Sequence, residues 1–216
     1  MKTKWLSILF FPFILFASDS ATPHVFGFSK DGSLFAFSES GVQDGSGFPY
    51  ANGYFIDVEK NVLKEKTIAL LFEETDQSYN PDSDAWLKKQ IVEEAKKKYG
   101  YNLLSLKMET PIKENTFHFQ NKKYILKWEP LIQKKYSDKC MGNPELLSIR
   151  LVSSNYEKVI QKDKIVPLSR GNGCARNYSF VGIYYFKNSF AAIFSYRYFS
   201  FEGDDLRHIA VTWKLD

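Results

Sequence analysis

The C-terminal part of the chain constrains the fold more strongly than any other segment. Aromatic and β-branched residues predominate at positions 180–186 and 190–201, and a short polar turn separates the two runs. Positions 208–215 then alternate strictly between polar and apolar residues, which is typical of a strand with one solvated face. The pattern predicts three antiparallel strands, the last with core-facing Ile209, Val211, Trp213 and Leu215. The polar members of that strand should face solvent, namely His208, Thr212 and Lys214.

The N-terminal segment carries the signals of further antiparallel strands. The pair Asp31-Gly32 lies between the apolar runs 25–28 and 34–37. An Asp-Gly pair in this setting predicts a hairpin, because glycine readily adopts positive φ. Other segments with strand character are positions 54–58, 67–72, 117–120, 124–128 and 146–152.

One helix stands out among these strands. Five apolar residues recur at helical spacing between positions 85 and 99, with lysines and glutamates at most of the remaining positions. Gly100 suits the position just past the helix end. The apolar stripe consists of Leu87, Ile91, Val92, Ala95 and Tyr99. We therefore predict an α+β fold with mainly antiparallel β-sheet, one prominent amphipathic helix and a single domain over residues 22–216.

The first residues of the chain predict export. Residues 1–4 are basic, and residues 5–17 form an uncharged, apolar run of 13 residues. This is the architecture of a signal peptide, with cleavage predicted within about positions 17–21. A membrane-spanning helix needs about 20 apolar residues, so we predict no integral membrane segment in the mature chain. The protein is expected in the periplasm or outside the cell.

The charge balance argues against nucleic acid as a partner. The formal net charge is +4 at pH 7, and loss of residues 1–17 removes two lysines and no acidic residue, which lowers it to +2. A net charge this small, spread over interleaved lysines and glutamates, is not the basic footprint of a nucleic-acid-binding protein.

The two cysteines, Cys140 and Cys174, predict a disulfide. An even pair in an exported protein reads first as a bridge, which would contribute roughly 4 kcal/mol in the chain-entropy model. Metal ligation is the weaker alternative, because neither cysteine has a histidine or second cysteine at ligand spacing. We predict no metal site and no cofactor.

Two polar loops, residues 44–50 and 202–207, interrupt strongly apolar neighbours and form the candidate binding site. If these loops meet in space, their carboxylates and guanidinium could bind a cation or a polar ligand. The alternative is that both are ordinary turns, in which Asp and Ser bond the local backbone. The binding hypothesis expects the loops to lie side by side and partly exposed. The candidate residues are Asp44, Ser46, Tyr50, Glu202, Asp204, Asp205 and Arg207.

No catalytic residue is predicted. The sequence has no G-x-S-x-G, H-E-x-x-H or P-loop motif, and the short Gly-Ser-Gly around Ser46 is too common to count as one. An envelope-acting hydrolase that uses the loop carboxylates as acid and base is one alternative. A calcium-stabilised interaction module is another.

Two resemblances are carried by specific stretches. FSKDGSLFAF and GYFIDVEKN, within residues 25–61, resemble one blade of a TolB-type or WD40-like propeller. GFSKDGSLFAFSESGVQDGSGFPY and FEGDDLRHIAVT resemble a bacterial family of predicted secreted proteins, domain of unknown function 2259. This second resemblance implies export and a shared fold, and it supplies no activity. The sequence as a whole predicts an exported bacterial envelope protein with a non-enzymatic role, either structural or in binding an envelope ligand or protein partner.

Overall fold

A computed structural model describes residues 18–72, 84–133, 140, 143–162, 175–199 and 203–216. These residues form three antiparallel sheets and one α-helix. The N-terminal sheet comprises β1 (Thr22–Phe28), β2 (Leu34–Val42), β3 (Pro49–Asp57), β4 (Val62–Leu63) and β5 (Ile68–Leu71). The middle sheet comprises β6 (Thr116–Phe119), β7 (Lys122–Ile132), β8 (Glu145–Ser153) and β9 (Tyr156–Lys162). The C-terminal sheet comprises β10 (Arg176–Phe186), β11 (Ser189–Phe199) and β12 (Asp204–Lys214).

Neighbouring strands along the chain are neighbours in each sheet. The orders are β1-β2-β3-β4, β6-β7-β8-β9 and β10-β11-β12, and β5 also pairs with β3. Phe28 pairs with Phe35 across the predicted Asp-Gly turn, which confirms the N-terminal hairpin. Every strand segment predicted from the sequence lies within or overlaps a strand of these sheets. The predicted α+β class with mainly antiparallel sheet is confirmed.

The helix α1 (Asp84–Tyr99) covers the outer face of the N-terminal sheet. Leu87, Ile91 and Ala95 of the predicted stripe are buried against Phe55 and its neighbours. Gly100 follows the helix with φ of +71°, the left-handed conformation expected just past a helix end. The helix therefore lies where its apolar stripe directs it.

The C-terminal sheet is the central layer of the molecule. Phe190, Phe194 and Trp213 on one face pack against the middle sheet. Ala191 and Ile193 on the other face pack against phenylalanines of the N-terminal sheet. The order of layers is therefore helix, N-terminal sheet, C-terminal sheet and middle sheet.

This layering corrects one expectation about β12. His208 and Thr212 were predicted to face solvent, yet they are 3% and 2% exposed. The N-terminal sheet covers that face, and both residues bond to it: the His208 amide donates to Glu39 Oε2 at 2.9 Å, and Thr212 Oγ1 donates to the Val58 carbonyl at 3.1 Å. His208 and Thr212 therefore lie on a second buried face of β12, because each has a hydrogen-bond partner in the N-terminal part of the chain.

Several predictions lie partly or wholly outside the described residues. These are the leader at residues 1–17, Cys174 and Glu202. Cys140 is buried, and its pairing with Cys174 stays a prediction. The likeness of residues 25–61 to a propeller blade also stays a prediction, because consecutive antiparallel strands occur in many β-meanders.

Candidate functional site

Tyr50 and Arg207, one from each loop proposed from the sequence, are in contact, but both lie in strands and are largely buried instead of partly exposed. Tyr50 lies near the start of β3, and Arg207 lies in the first half of β12. The Arg207 guanidinium carbon lies 4.9 Å from the centre of the Tyr50 ring and 5.5 Å from that of Tyr198. Such distances place the cation over both aromatic rings. Arg207 thus joins the N-terminal and C-terminal sheets.

Asp19, which sequence reasoning did not single out, completes this group. Its Oδ1 accepts a hydrogen bond from the Tyr50 hydroxyl at 2.9 Å, and its Oδ2 is paired with Arg207 Nη2. Asp205 Oδ2 lies 3.5 Å from the same nitrogen, and Asp205 Oδ1 accepts from the Asp19 amide at 3.2 Å. We call Asp19, Tyr50, Asp205 and Arg207 the acid–arginine cluster.

The acid–arginine cluster is largely removed from water. The side chains of Asp19, Asp205 and Arg207 are 6%, 9% and 13% exposed. Burial raises the pKa of Asp19, although its bond to Arg207 opposes that shift. Burial also raises the pKa of Tyr50 far above its ordinary value. Two carboxyl groups share one guanidinium in the cluster, so Arg207 balances the charge of one of them.

The pKa values of Arg207 and of Tyr198, whose ring lies against Arg207, are shifted as well. Burial, together with the hydrogen bond to Asp205, raises the pKa of Tyr198 to about 12. Burial by itself would lower the pKa of Arg207, but its bond to Asp19 raises that pKa above the ordinary value. Both tyrosines therefore stay neutral and Arg207 stays charged at physiological pH.

The remaining loop candidates serve local geometry. Asp44 Oδ1 accepts from the Gly45 amide at 2.8 Å. Ser46 Oγ donates to Gln43 Oε1 at 3.1 Å and accepts from the Phe48 amide at 3.2 Å. These bonds are those of a turn. A ligand role for Asp44 and Ser46 stays a prediction.

Asp204 is also paired within the chain, through an ion pair with Arg176 of β10. Tyr50, Asp205 and Arg207 are therefore the predicted site residues that the fold brings together, with Asp204 beside them at the start of β12. A ligand role for these four residues stays a prediction, as it does for Glu202.

A second buried polar group lies between β2 and β12. Glu39 is 1% exposed and accepts a bond from the Tyr54 hydroxyl at 2.6 Å. Its other oxygen accepts from the His208 backbone amide and lies 3.4 Å from His208 Nδ1. Glu39 therefore links β2, β3 and β12. The sequence carries no local signal for it, because Ser38, Glu39 and Ser40 resemble the polar end of a strand.

A cleft of about 780 Å³ opens on another part of the surface. Separate chain segments form it: the β1–β2 turn, the chain before β5, the chain after α1, and the β10–β11 turn. Four exposed lysines line it, Lys30, Lys64, Lys107 and Lys187. We call this feature the basic cleft.

The floor of the basic cleft is apolar. Leu34 is buried, and Leu106, Tyr101 and Phe186 are half-buried around it. The Tyr101 hydroxyl donates to Glu65 Oε1 at 2.9 Å, and burial with this bond raises the pKa of Tyr101 to about 12. The cleft thus combines an apolar floor with a cationic rim.

Within the described part of the chain, none of the four lysines of the basic cleft forms an ion pair with an acidic side chain. Asp31 is the acidic residue in the lining, and its Oδ1 accepts bonds from Ser29 Oγ at 2.6 Å and Ser33 Oγ at 3.0 Å. These bonds lower the pKa of Asp31 to about 2, so its charge is committed to the turn.

Sequence reasoning missed the basic cleft because its lysines are far apart in the chain. Lys187 Nζ donates to the Lys30 carbonyl at 2.9 Å across a separation of 157 residues. Each lysine considered alone resembles an ordinary solvated residue in a turn or strand end. Only the packing of the β10–β11 turn against the β1–β2 turn brings them to one rim.

The described residues contain no group of three or more His, Cys, Asp or Glu side chains that could hold a metal ion. They also contain no helix long and apolar enough to cross a membrane.

These features define a layered, β-rich protein that is fastened internally by polar clusters and carries a cationic cleft on its surface. The chain belongs to the family described as predicted secreted protein (DUF2259), whose sequence model matches residues 36–214. The family description supports an exported location. No curated protein and no solved structure is similar enough to the chain to count as a match.

Proposed function

We propose that this protein is an exported, non-catalytic binding protein whose ligand is a small amphiphilic anion held in the basic cleft. The observation that carries the proposal is the set of four lysines, without ion-pair partners among the described residues, around an apolar floor. A concave, mainly apolar site with a few convergent polar groups is the usual form of a small-molecule site.

The cationic rim selects the head of the ligand. Lysine ammonium groups bind phosphate or carboxylate as point charges with several donors. Asp31 carries one negative charge in the lining, and the four lysine ammonium groups outweigh it. The rim therefore favours a phosphate or carboxylate head over a neutral or cationic one.

The apolar floor selects the body of the ligand. Leu34, Tyr101 and Leu106 offer aliphatic and aromatic surface. Burial of apolar ligand surface there contributes roughly 25 cal/mol per Å². A volume of about 780 Å³ accommodates a single-chain amphiphile rather than a polymer.

The acid–arginine cluster is better explained as an internal fastening than as a site for this ligand. Its side chains are largely buried, and its two carboxylates share one guanidinium. The hydrolase alternative needs two neighbouring carboxyl groups, one with a raised pKa, and Asp19 with Asp205 meets that part of the requirement. We favour the binding function because Arg207 lies between the two acids and is itself held over Tyr50.

The test is calorimetric titration of the purified protein with three probes. Dodecyl phosphate has both an anionic head and an apolar chain. Inorganic phosphate has the anionic head alone, and dodecyl maltoside has the same chain with a neutral head. We expect saturable binding of dodecyl phosphate that is at least about tenfold tighter than that of either partial probe. Equal binding of dodecyl maltoside would mean that the lysines are irrelevant and would overturn the proposal.

Charge reversal locates the site. The double variant Lys64→Glu with Lys107→Glu should weaken dodecyl phosphate binding by about tenfold or more, since two attractions become repulsions. The matched control is Lys127→Glu with Lys158→Glu, two exposed lysines of the middle sheet that do not line the cleft. The control should bind as the unaltered protein does. A loss of binding of equal size in both double variants would indicate a net-charge effect instead of a site.

A further inference from the structure

We propose that the leader is cleaved on the N-terminal side of Asp19, at the Ala17–Ser18 bond, and that the mature chain keeps Asp19 as a structural residue. Water adds across that amide bond, so Ala17 gains the new carboxyl group and Ser18 the new amino group. The inference rests on contacts of residues 19–21 and is independent of the basic cleft.

The backbone directly after the predicted leader belongs to the fold. Ser20 forms a parallel bridge with Leu206 of β12. The Leu206 amide donates to the Asp19 carbonyl at 2.8 Å, and the Ala21 amide donates to the Leu206 carbonyl at 3.1 Å. Residues 19–21 therefore cover the edge of β12 that β11 does not pair, which protects an otherwise open sheet edge.

The side chain of Asp19 makes buried contacts that the folded protein would lose if this segment were removed. The Asp19 carboxylate accepts a hydrogen bond from the Tyr50 hydroxyl and is paired with Arg207. Asp19 as a whole is 5% exposed. Without Asp19, the Arg207 guanidinium would retain Asp205 at the longer distance of 3.5 Å. Removing one partner from a buried ion pair is strongly destabilising, because the remaining charge is left inadequately compensated.

Sequence rules alone do not choose between the possible cleavage bonds. Leader peptidases favour small residues one and three positions before the cut. Ser18 and Ser20 satisfy this rule for a cut before Ala21, whereas a cut before Ser18 follows Ala17 with the larger Leu15. A cut before Ala21 would remove Asp19 and Ser20, so the buried contacts favour a cut before Asp19. Of the two bonds directly before Asp19, the Ala17–Ser18 bond follows the smaller residue, alanine, and avoids Phe16 three positions before the cut.

The direct test is the N-terminus of the exported protein. The full-length chain is expressed in a secreting bacterium, and the product is analysed by intact mass and N-terminal sequencing. We expect a chain that begins at Ser18. A chain that begins at Ala21 or Thr22, or a product that keeps its leader, would overturn the proposal.

A second test measures the structural role of Asp19 in the exported product. Asp19→Ala should lower the melting temperature by about 10 °C, and Asp19→Asn by less, because the amide still accepts the Tyr50 bond. Glu157→Gln, which alters an exposed carboxylate 3.2 Å from Arg150, should shift it by no more than about 1 °C. If Asp19→Ala yields no folded protein, Asp19→Asn decides. A melting temperature for Asp19→Asn equal to that of Glu157→Gln would contradict a structural role.

Discussion

The burial of Glu39 depends on its hydrogen-bond partners. It is 1% exposed, and burial of a polar side chain is tolerated only where hydrogen bonds replace those it made to water. Tyr54 supplies one such bond at 2.6 Å, and the backbone of His208 supplies another at 2.9 Å. The side chain of Glu39 thus fixes the distance between β2 and β12.

Replacing Glu39 should be costly. Glu39→Ala leaves the Tyr54 hydroxyl and the His208 amide without this acceptor, and we expect a loss of about 3 kcal/mol in the free energy of unfolding. Urea denaturation followed by tryptophan fluorescence measures the change. The control is Glu59→Ala, an exposed glutamate next to the same sheet, with an expected change below about 0.5 kcal/mol. Similar losses for the two variants would rule out a special role for Glu39.

Asp31 offers a pH-dependent prediction. Its pKa is lowered to about 2 by bonds from Ser29 and Ser33, so its folded pKa lies below that of the unfolded chain. The stabilisation is therefore fully present above about pH 4 and is lost as the pH falls toward 2. In Asp31→Asn this contribution is absent at every pH.

The measurement is the melting temperature of both proteins from pH 7 to pH 2. We expect Asp31→Asn to melt about 2 °C below the unaltered protein at pH 7, with the difference closing between pH 4 and pH 2. A difference that stays constant over this interval would show that the carboxylate charge does not contribute.

At the scale of elements, β1 depends on a close approach of two backbones. Gly27 has φ of +111°, and a Cβ built on it would lie 2.6 Å from the Lys107 carbonyl oxygen. Phe28 and Lys107 exchange two backbone hydrogen bonds of 2.8 Å beside it. The chain after α1 is thereby held against β1, where Lys107 also lines the basic cleft.

The Gly27→Ala variant should separate these backbones. Strain at positive φ adds about 1–2 kcal/mol, and the clash with a backbone atom adds more, so we expect a total loss of about 3 kcal/mol. Gly47→Ala is the matched control, because Gly47 has φ of +71° and open space where its Cβ would lie. It should lose about 1 kcal/mol in the same urea titration. Equal losses would mean that the contact with Lys107 has no energetic weight.

The free edge of β12 illustrates what strand patterns do not reveal. Its Leu206, His208 and Thr212 amides donate to the Asp19 carbonyl, the Glu39 carboxylate and the Asn61 side chain. Side chains and a short N-terminal segment thus replace a neighbouring strand along this edge. The alternation of β12 predicted the strand itself, but it could not show that its polar residues are enclosed by another sheet.

At the scale of the whole molecule, three sheets and a helix stack into four layers with separate apolar clusters between them. The C-terminal sheet contributes to two of these clusters, which explains the density of aromatic residues in β10 and β11. Cys140 is 5% exposed near the start of the chain that leads into β8. A bridge to Cys174 would tie that chain to the segment before β10.

The predicted disulfide is testable on the oxidised protein. Alkylation under denaturing conditions should modify neither Cys140 nor Cys174 until a reductant is added, and mass spectrometry counts the labels. Reduction should lower the free energy of unfolding by about 4 kcal/mol in the chain-entropy model. Cys140→Ser with Cys174→Ser should match the reduced protein. Rapid labelling of both cysteines without reductant would exclude the bridge.

The sequence predicted most strands, the helix and the Asp31-Gly32 turn of this protein, because these depend on the period of apolar residues and on local turn chemistry. It did not predict the short strand β4 or the strand β9. The hairpin at Asp31-Gly32 and the helix ending before Gly100 are both of this kind. Contacts between residues far apart in the chain became visible in the folded protein and were not predicted. Asp19 meets Arg207 across 188 positions, and Lys187 meets Lys30 across 157. No local pattern encodes such contacts, since they depend on which faces of the sheets are stacked together.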